Sequence, residues 1–338
     1  MPQEVYGVAA KDVRKAIDSL IVQMVHIKDE SGRFLLRLKD GRVIDTKGWQ
    51  GWEWTHGIGL YGLWKNHCIT GSQESLEIIK TWFQNRFDEG GTTKNINTMA
   101  SILTLAYVYE QDKVTKLLPW LESWAEWAIL AKIGKVLNRP HYIEEAKRQF
   151  LLHIKYLFDT KTGLFFHGWT FADGGHNFAR ALWARGNSWI TIAIPEMLEL
   201  LDLPINDPFR IHLIDTLEAQ CQALVKYQEP DGLWRTLLDL SADEGSYVES
   251  SATAGFAYGI LKALRMRYIG GEEYRSCAIK AVKAVLGKVS DEGELLDVSF
   301  GTAMGHTLQH YIDIDRTSMP YGQAMAIMAL SEFLRVFI

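Results

Sequence analysis

Apolar residues recur every three or four positions along most of this chain. In the first such segment, Val8–His26, they are Val13, Ile17, Leu20, Ile21 and Met24, which is the spacing of one face of an α-helix. The same periodicity predicts further helices at Trp52–Trp64, Gln73–Phe87, Ile96–Tyr109, Lys113–Ala128, His141–Phe158, Trp183–Leu201, Pro208–Gln228, Val248–Tyr268, Glu272–Val289 and Pro320–Phe337. Strand-like segments are few and short, so an all-α fold is expected.

One kind of turn recurs between the predicted helices. An acidic residue and a glycine are followed by an apolar or aromatic residue in Asp29–Phe34, Asp159–Phe165, Asp231–Trp234 and Asp291–Leu295. Asp and Gly are residues that such turns require. Four copies, separated by one or two helical hairpins, indicate a repeated two-helix unit that can close into an α/α toroid.

The composition of the helices predicts their places in the toroid. The glycine-rich helix Trp52–Trp64 and the helix Ile96–Tyr109, which is small and apolar nearly all round, are expected to lie inside. The helices Gln73–Phe87 and His141–Phe158 carry charged residues and are expected outside. No Pro- or Ser-rich linker divides the 338 residues, so a single domain spanning residues 1–338 is expected.

Composition narrows the function classes. A net charge of −5 and a pI near 6.1 argue against general attraction to nucleic acid or to an anionic membrane. The three cysteines are far apart and show no CxxC spacing, which favours reduced thiols over disulfides or a zinc site. The N-terminal segment lacks an apolar signal region, and no apolar run approaches about 18 residues. A cytoplasmic protein without metal or cofactor is therefore expected.

The densest candidate site lies between Gly163 and Trp189. His167, Trp183, Arg185, Asn187 and Trp189 fall close together there, and a pocket of indoles with nitrogen donors suits a sugar ring and its carboxylate. The plainer interpretation is that aromatic residues beside a helix start belong to the core. No metal spacing, nucleophile elbow, phosphate loop or dinucleotide fingerprint is present. With these motifs absent, the sequence favours an acid/base site that acts on a glycan.

Other candidates lie at the ends of predicted inner helices. Trp54 stands at the start of the second helix, and Asn95 and Asn97 stand at the start of the fourth. One of these two Asn residues is expected to cap its helix. Glu249 is open to two readings, as a site acid or as a carboxylate favoured by the dipole of the helix that it begins.

The stretches GLFFHGW, HNFARALWARGNSW and EMLELLDLP, with YGLW upstream and ESSATAGFAYG downstream, resemble the unsaturated rhamnogalacturonyl hydrolases, family 105 of the glycoside hydrolases. The resemblance covers nearly the whole chain. It implies an (α/α)6 barrel and a substrate ending in Δ4,5-unsaturated galacturonic acid linked to rhamnose. In that family an Asp protonates the C4=C5 double bond and activates water for C5; the hemiketal opens and the glycosidic bond breaks.

The resemblance assigns roles to individual residues. His167 matches the pocket histidine, while Trp183 and Arg185 match the residues that stack on the sugar and face its carboxylate. Trp189 matches another pocket tryptophan, and Asn97 falls near a position that lines the same pocket. A planar guanidinium beside an indole can form a bidentate pair with a uronate.

The sequence departs from the family at one place. Family members carry a glycine-rich loop with a His, followed by a Trp-x-Asp-Asp helix start that bears the catalytic Asp. Here Trp127-Ala128-Ile129 runs directly into Leu130-Ala131-Lys132. Either a segment is missing from this sequence, in which case a gap is expected between successive Cα atoms, or the deletion is genuine. A genuine deletion predicts an inactive relative that still binds the sugar. An unsaturated glucuronyl hydrolase is a further alternative.

Overall fold

The computed structural model describes residues 3–37, 41, 43–125 and 131–337. Thirteen α-helices occur in these ranges: α1 Ala10–His26, α2 Trp54–Thr70, α3 Gln73–Asp88, α4 Ala100–Asp112, α5 Leu118–Ala125, α6 Ala131–Val136, α7 Pro140–Leu157, α8 Ala184–Leu201, α9 Pro208–Tyr227, α10 Ser250–Arg265, α11 Glu272–Gly287, α12 Leu308–Ile312 and α13 Pro320–Phe337. The all-α prediction is confirmed.

The helices form two concentric rings. The inner ring is closed by contacts of α2 with α4, α4 with α6, α6 with α8, α8 with α10, α10 with α13, and α13 with α2. One outer helix packs on each inner helix: α3 on α2, α5 on α4, α7 on α6, α9 on α8, α11 on α10 and α1 on α13. This is the (α/α)6 barrel, and the four helices assigned to inner or outer places from composition lie where they were expected.

Close packing of the inner helices explains the glycines of α2. A Cβ atom on Gly57 would lie 2.7 Å from the backbone of Ala100 in α4, and one on Gly62 would lie 2.7 Å from the Cβ of Ala324 in α13. Helices α10 and α13 are buried on nearly every side, as expected for helices enclosed by a second ring. The destabilising effect of mid-helix glycine is offset by contacts that a larger residue would prevent.

The recurring turns lie between neighbouring outer helices. The glycines of all four turns have positive φ. At three of them an added Cβ would meet a backbone carbonyl oxygen of the following outer helix: Gly163 at 2.7 Å from Ala219, Gly232 at 2.5 Å from Lys280 and Gly293 at 2.4 Å from Ser19. The Asp carboxylate accepts backbone N–H bonds in the turns at Asp29, Asp159 and Asp231. In the turn at Gly293, the hydroxyl of Ser290 does so instead.

Strand structure is limited to three two-stranded antiparallel pairs in the described ranges. They join Glu4–Val5 to Val8–Ala9, Leu35–Arg37 to Val43–Asp45, and Phe158–Asp159 to Leu164–Phe165. Helix α4 begins at Ala100 rather than at Ile96, because the carboxamide oxygen of Asn95 accepts the N–H groups of Asn97 and Thr98 in a preceding turn. The prediction that one of the two Asn residues caps this helix is wrong: the N-cap residue of α4 is Met99, which makes no side-chain cap bond, and Asn95 instead stabilises the preceding turn.

The predicted junction at Trp127–Ala131 falls largely on residues 126–130, which lie outside the described ranges. The expected helix Lys113–Ala128 is represented before that point by a 3₁₀ turn, Thr115–Leu117, and by α5. Of the helices that the structure describes, none combines the length and apolar character needed to cross a bilayer.

A buried ionic cluster, here called the Glu196 network, joins three inner helices. Glu196 of α8 accepts hydrogen bonds from Tyr61 at 2.5 Å and Lys65 at 2.7 Å in α2, and from Tyr258 and Lys262 in α10, the last at 2.5 Å. Burial opposes ionisation of Glu196, but Lys65 and Lys262 outweigh it and hold its pKa well below the usual value. The members of the network lie about two to three turns into the inner helices, beyond the side chains at their N-terminal ends.

Candidate active site

A cavity of about 650 Å³ opens at the end of the barrel where the inner helices begin. Its wall comes from the N-terminal ends of α2 and α8, the end of α7, and the segments before α2, α4, α8 and α12. The lining residues are Leu36, Thr46, Glu53, Trp54, Thr55, Asn97, His153, Leu157, Phe165, Phe166, His167, Trp183, Gly186, Trp189, Ile190, Phe300, Gly301, Thr302 and Ala303. Because free backbone N–H groups and the positive ends of helix dipoles meet there, the cavity favours an anion.

Three tryptophans form the aromatic wall. Trp54 stacks on Tyr321 with ring centroids 4.8 Å apart and meets Trp189 edge-on at 6.2 Å. Trp183 is the N-cap residue of α8 and lies against His167. All three predicted tryptophans therefore line one cavity, and their indole faces are suited to the C–H faces of a pyranose ring.

His167 is held by Tyr311. The Tyr311 hydroxyl accepts the N–H of Gly305 at 3.1 Å, so its own proton is assigned to His167 Nδ1, 2.7 Å away. This arrangement places the imidazole proton on Nε2, which is left to donate to a ligand. Burial lowers the pKa of His167 to about 4, and the nearby Arg185 charge acts in the same direction. His167 is therefore neutral at physiological pH.

Arg185 lies one layer behind the cavity wall and has no exposed surface. Its guanidinium carbon sits between the rings of Trp183 and Tyr321, 4.7 and 4.8 Å from their centroids. The two Nη atoms donate to the loop before α12. The acceptors are the backbone and side-chain oxygens of Ser299 at 2.5 Å each, and Phe300 O and Thr302 Oγ1 at 2.8 Å each.

These bonds bear on the expected pairing of Arg185 with a sugar carboxylate. Its Nη donors are already engaged, and Glu249 lies 3.8 Å from Nη1 in the same buried layer. Direct contact with a substrate would require the Ser299–Thr302 loop to give up bonds. As the structure stands, Arg185 shapes the cavity by fixing that loop and by supporting the Trp183 ring from behind.

Glu249 is the N-cap residue of α10. Its carboxylate accepts the N–H of Ala252 at 2.6 Å and the N–H of Ser299 at 2.9 Å. Of the two readings given to Glu249 from sequence, the carboxylate at the start of a helix is the one seen here. It also compensates the charge of Arg185.

The two predicted asparagines are placed differently. Asn97 is exposed and lines the cavity. Asn187 is completely buried, and its carboxamide exchanges two 2.8 Å hydrogen bonds with the backbone of Phe165 while donating to Trp183 O at 3.0 Å. Asn187 is outside the cavity lining. It instead ties the strand leading to His167 onto the first turn of α8.

Several lining or supporting residues escaped sequence reasoning. Glu53 lines the cavity, while Tyr311 contacts His167 and Tyr321 contacts Arg185. Glu53 lies within the WEWTH segment beside Trp54, so its position next to a candidate was visible. Tyr311 and Tyr321 come from distant segments and carried no local signal. No three His, Cys, Asp or Glu side chains within the described ranges are grouped as metal ligands would be.

A closed double ring of helices around an aromatic, anion-favouring cavity is the architecture of a six-hairpin glycosidase. The chain belongs to Glycosyl Hydrolase Family 88, whose sequence profile matches residues 26–130 and 127–337. The two matched segments meet at residues 127–130, which is where the sequence departs from the family pattern.

Relatives give the same result. The chain is 27% identical over 325 residues to the unsaturated rhamnogalacturonyl hydrolase YesR of Bacillus subtilis, covering 84% of this chain and 90% of that protein. Its sequence is 52% identical to that of a possible GH105 family member from Salmonella enterica whose crystal structure is known. The two structures superpose with a TM-score of 0.96 over 100% of this chain and 97% of the other. A possible GH105 member from Klebsiella pneumoniae also shows 52% identity, a TM-score of 0.95 and coverage of 100% and 96%. The resemblance to this group that the sequence motifs indicated is confirmed.

Proposed function

We propose that this protein hydrolyses short oligosaccharides, derived from the rhamnogalacturonan of pectin, that end in Δ4,5-unsaturated galacturonic acid linked to rhamnose. The observation that carries the proposal is the cavity itself: three indoles surround the site at which α2 and α8 begin. A uronate has apolar ring faces for the indoles and a carboxylate for the helix N-termini. The relative YesR carries the name of this activity.

Different cavity residues make different contacts with the sugar. Trp54, Trp183 and Trp189 stack against the sugar ring, and Asn97 offers an amide at the rim. The neutral His167 donates from Nε2 to a sugar oxygen. Arg185 acts from behind, since its bonds to Ser299, Phe300 and Thr302 hold one wall in place.

The reaction adds water across the C4=C5 double bond. A proton bonds to C4 and the water oxygen bonds to C5, which then carries both a hydroxyl group and the ring oxygen. This hemiketal opens to a ketone at C5 and leaves a hemiacetal at C1, which releases the rhamnose hydroxyl. One water is consumed, and no covalent glycosyl-enzyme is formed.

Loss of the double-bond absorbance of unsaturated galacturonosyl-rhamnose, with release of rhamnose, is the direct test. The saturated disaccharide is the matched control and should remain intact. Turnover of an unsaturated glucuronyl disaccharide in its place would reassign the substrate. Binding of the galacturonyl disaccharide without turnover would contradict the proposal and identify an inactive relative, the alternative that the absent Asp segment raises.

We also propose a cytoplasmic location and a single folded domain. The three cysteines are free in the structure, and Cys221 and Cys277 are buried between outer helices without a disulfide, which suits a reducing compartment. A closed ring whose first helix packs on its last suits one cooperative unit. Cell fractionation and the coincidence of unfolding transitions followed by two probes test these points.

A further inference from the structure

The cavity contains one carboxylate among its described lining residues, that of Glu53. The hydration step needs a group that gives a proton to C4 and a group that takes a proton from water. The family's Asp segment is absent from this sequence, so the proton carrier must be sought among the residues present. Glu53 lies directly before Trp54, the first residue of α2.

The backbone at Glu53 is firmly fixed. Its N–H donates to His56 Nδ1 at 3.1 Å, and His56 Nε2 in turn donates to Gly48 O at 2.7 Å. Burial lowers the pKa of His56 to about 4, so this relay stays neutral and keeps its tautomer. A fixed backbone holds the Glu53 side chain in one place at the cavity wall, as an acid/base group requires.

Burial is the larger influence on the Glu53 carboxyl group and favours its protonated form, while backbone N–H groups at the start of α2 bond to the carboxylate and act in the opposite direction. The residue is only 3% exposed, and burial raises the pKa of its carboxyl group above the ordinary value. No Lys or Arg pairs with it in the part of the chain that the structure describes. A bound uronate would add a second negative charge nearby and disfavour ionisation further.

We propose that Glu53 is the proton carrier of the hydration step, an inference that rests on the function proposed above. The Glu53 carboxyl proton forms the new bond to C4 with the π electrons of the double bond. The resulting carboxylate takes a proton from the water whose oxygen bonds to C5. Glu53 is thereby restored, and no oxidant, reductant or further reactant is consumed.

The other ionisable groups near the cavity are poorly suited to this task. His167 is neutral and its Nδ1 is occupied by Tyr311, which leaves an N–H that is a weak acid. Glu249 is fully buried behind the wall and committed to Ser251, Ala252 and Ser299. His153 also lines the cavity, where its Nδ1 lies 2.8 Å from Gln149 O. Among the described lining residues, Glu53 is the one carboxylic acid.

The test is Glu53→Gln in the full chain, which preserves size and hydrogen bonding but removes the transferable proton. With unsaturated galacturonosyl-rhamnose, kcat should fall about 10²–10⁴-fold. The Kd of the disaccharide, followed by tryptophan fluorescence, should change by less than about threefold. Glu53→Asp keeps the acid at a shorter reach and should retain more activity than the Gln variant.

A control separates catalysis from helix capping. Asp207 is the N-cap residue of the outer helix α9 and accepts two backbone N–H groups far from the cavity. Asp207→Asn should leave kcat unchanged. Wild-type kcat should decline as the pH rises through the raised pKa of Glu53 and the carboxyl loses its proton. That decline should vanish from the residual activity of the Gln variant.

The outcomes distinguish this inference from the function beneath it. An active wild type together with a Gln variant of near-normal kcat overturns the role of Glu53 and leaves the hydrolase intact. A Gln variant that loses both substrate binding and kcat also overturns it. So does a decline of kcat with rising pH that persists in the Gln variant. A wild type that binds the disaccharide without turnover defeats the hydrolase proposal, and with it the role of Glu53.

Discussion

The guanidinium carbon of Arg185, a residue outside the cavity lining, lies 4.7 Å from the ring centroid of Trp183, which is part of that lining. One residue presents the stacking surface, and the other supports it. Since Arg185 also bonds to the Ser299–Thr302 loop, two walls of the cavity depend on a single buried cation. Substitutions at Arg185 should therefore affect binding and stability together.

Arg185→Ala should abolish binding of the unsaturated disaccharide and lower the free energy of unfolding by about 3–5 kcal/mol, because Glu249 would be left as an unpaired buried charge. Arg185→Lys should recover part of the stability but little of the binding, since an ammonium cannot make the forked bonds of a guanidinium. Denaturant unfolding and fluorescence titration measure both effects. Arg148→Ala, which removes an exposed arginine paired with Glu145, is the control and should leave both unchanged.

The two buried histidines should make the protein sensitive to acid. His56 and His167 each have a folded-state pKa of about 4 against an ordinary value of 6.5. Between these values the unfolded chain binds protons that the folded chain does not, so the free energy of unfolding should fall as the pH drops through this window. Denaturation at a series of pH values should give a slope of roughly 1.4 kcal/mol per pH unit for each proton.

His56→Gln isolates one of these protons. The variant should lose about 1.4 kcal/mol per pH unit from the slope within that window. Its stability at neutral pH should also be lower, since the bonds with Glu53 and Gly48 are altered. A slope identical to that of the wild type would contradict the assignment of a neutral, buried His56.

The Glu196 network should be essential for stability but not for substrate recognition. Glu196→Gln removes the carboxylate that Lys65 and Lys262 share, although Lys262 keeps its pair with Glu199. The substitution should cost about 3–5 kcal/mol. Glu144→Gln, which breaks the exposed pair with Lys147 on α7, is the matched control and should have a much smaller effect. Thermal unfolding at equal pH compares the two variants, and equal destabilisation would contradict the role of the network.

The glycine turns should tolerate no side chain. Gly163 has φ of 77°, and a Cβ atom added to it would lie 2.7 Å from the carbonyl oxygen of Ala219. Gly163→Ala should therefore cost about 1–3 kcal/mol from backbone strain and steric collision together. Gly90 has φ of 87° with nothing within 4 Å, so Gly90→Ala isolates the backbone strain, about 1 kcal/mol. Denaturant midpoints should rank wild type above Gly90→Ala and Gly163→Ala last.

Much of the fold could be predicted because hydrophobic periodicity reports burial directly. Ten of the helices, α1 to α4, α7 to α11 and α13, begin or end within four residues of their predicted places. The recurring Asp and Gly predicted the ring. The short helices α6 and α12 were missed because five or six residues show too little periodicity. The boundary of α4 was misplaced because the side chain of Asn95, rather than the hydrophobic pattern, determines the preceding turn.

The candidate site was predicted less completely than the fold. Around the start of α8, the cavity is lined by Trp183, Gly186, Trp189 and Ile190, a spacing that follows the helical period. Arg185 and Asn187 are their sequence neighbours but project from other sides of the helix. Their polar atoms form hydrogen bonds with the protein's own backbone. Sequence proximity identified the cluster, whereas the division between lining and supporting residues required the three-dimensional contacts.

The Glu196 network has a consequence for how a polysaccharide fragment is used. In the part of the barrel that the structure describes, ion pairs and tyrosines occupy the space between α2, α8 and α10 beneath the cavity. We therefore expect a ligand to enter and leave by the same mouth. Such a blind recess admits the tip of a sugar chain but not its middle. Trimming should therefore proceed one terminal residue at a time, with the remainder of the fragment trailing outside in water.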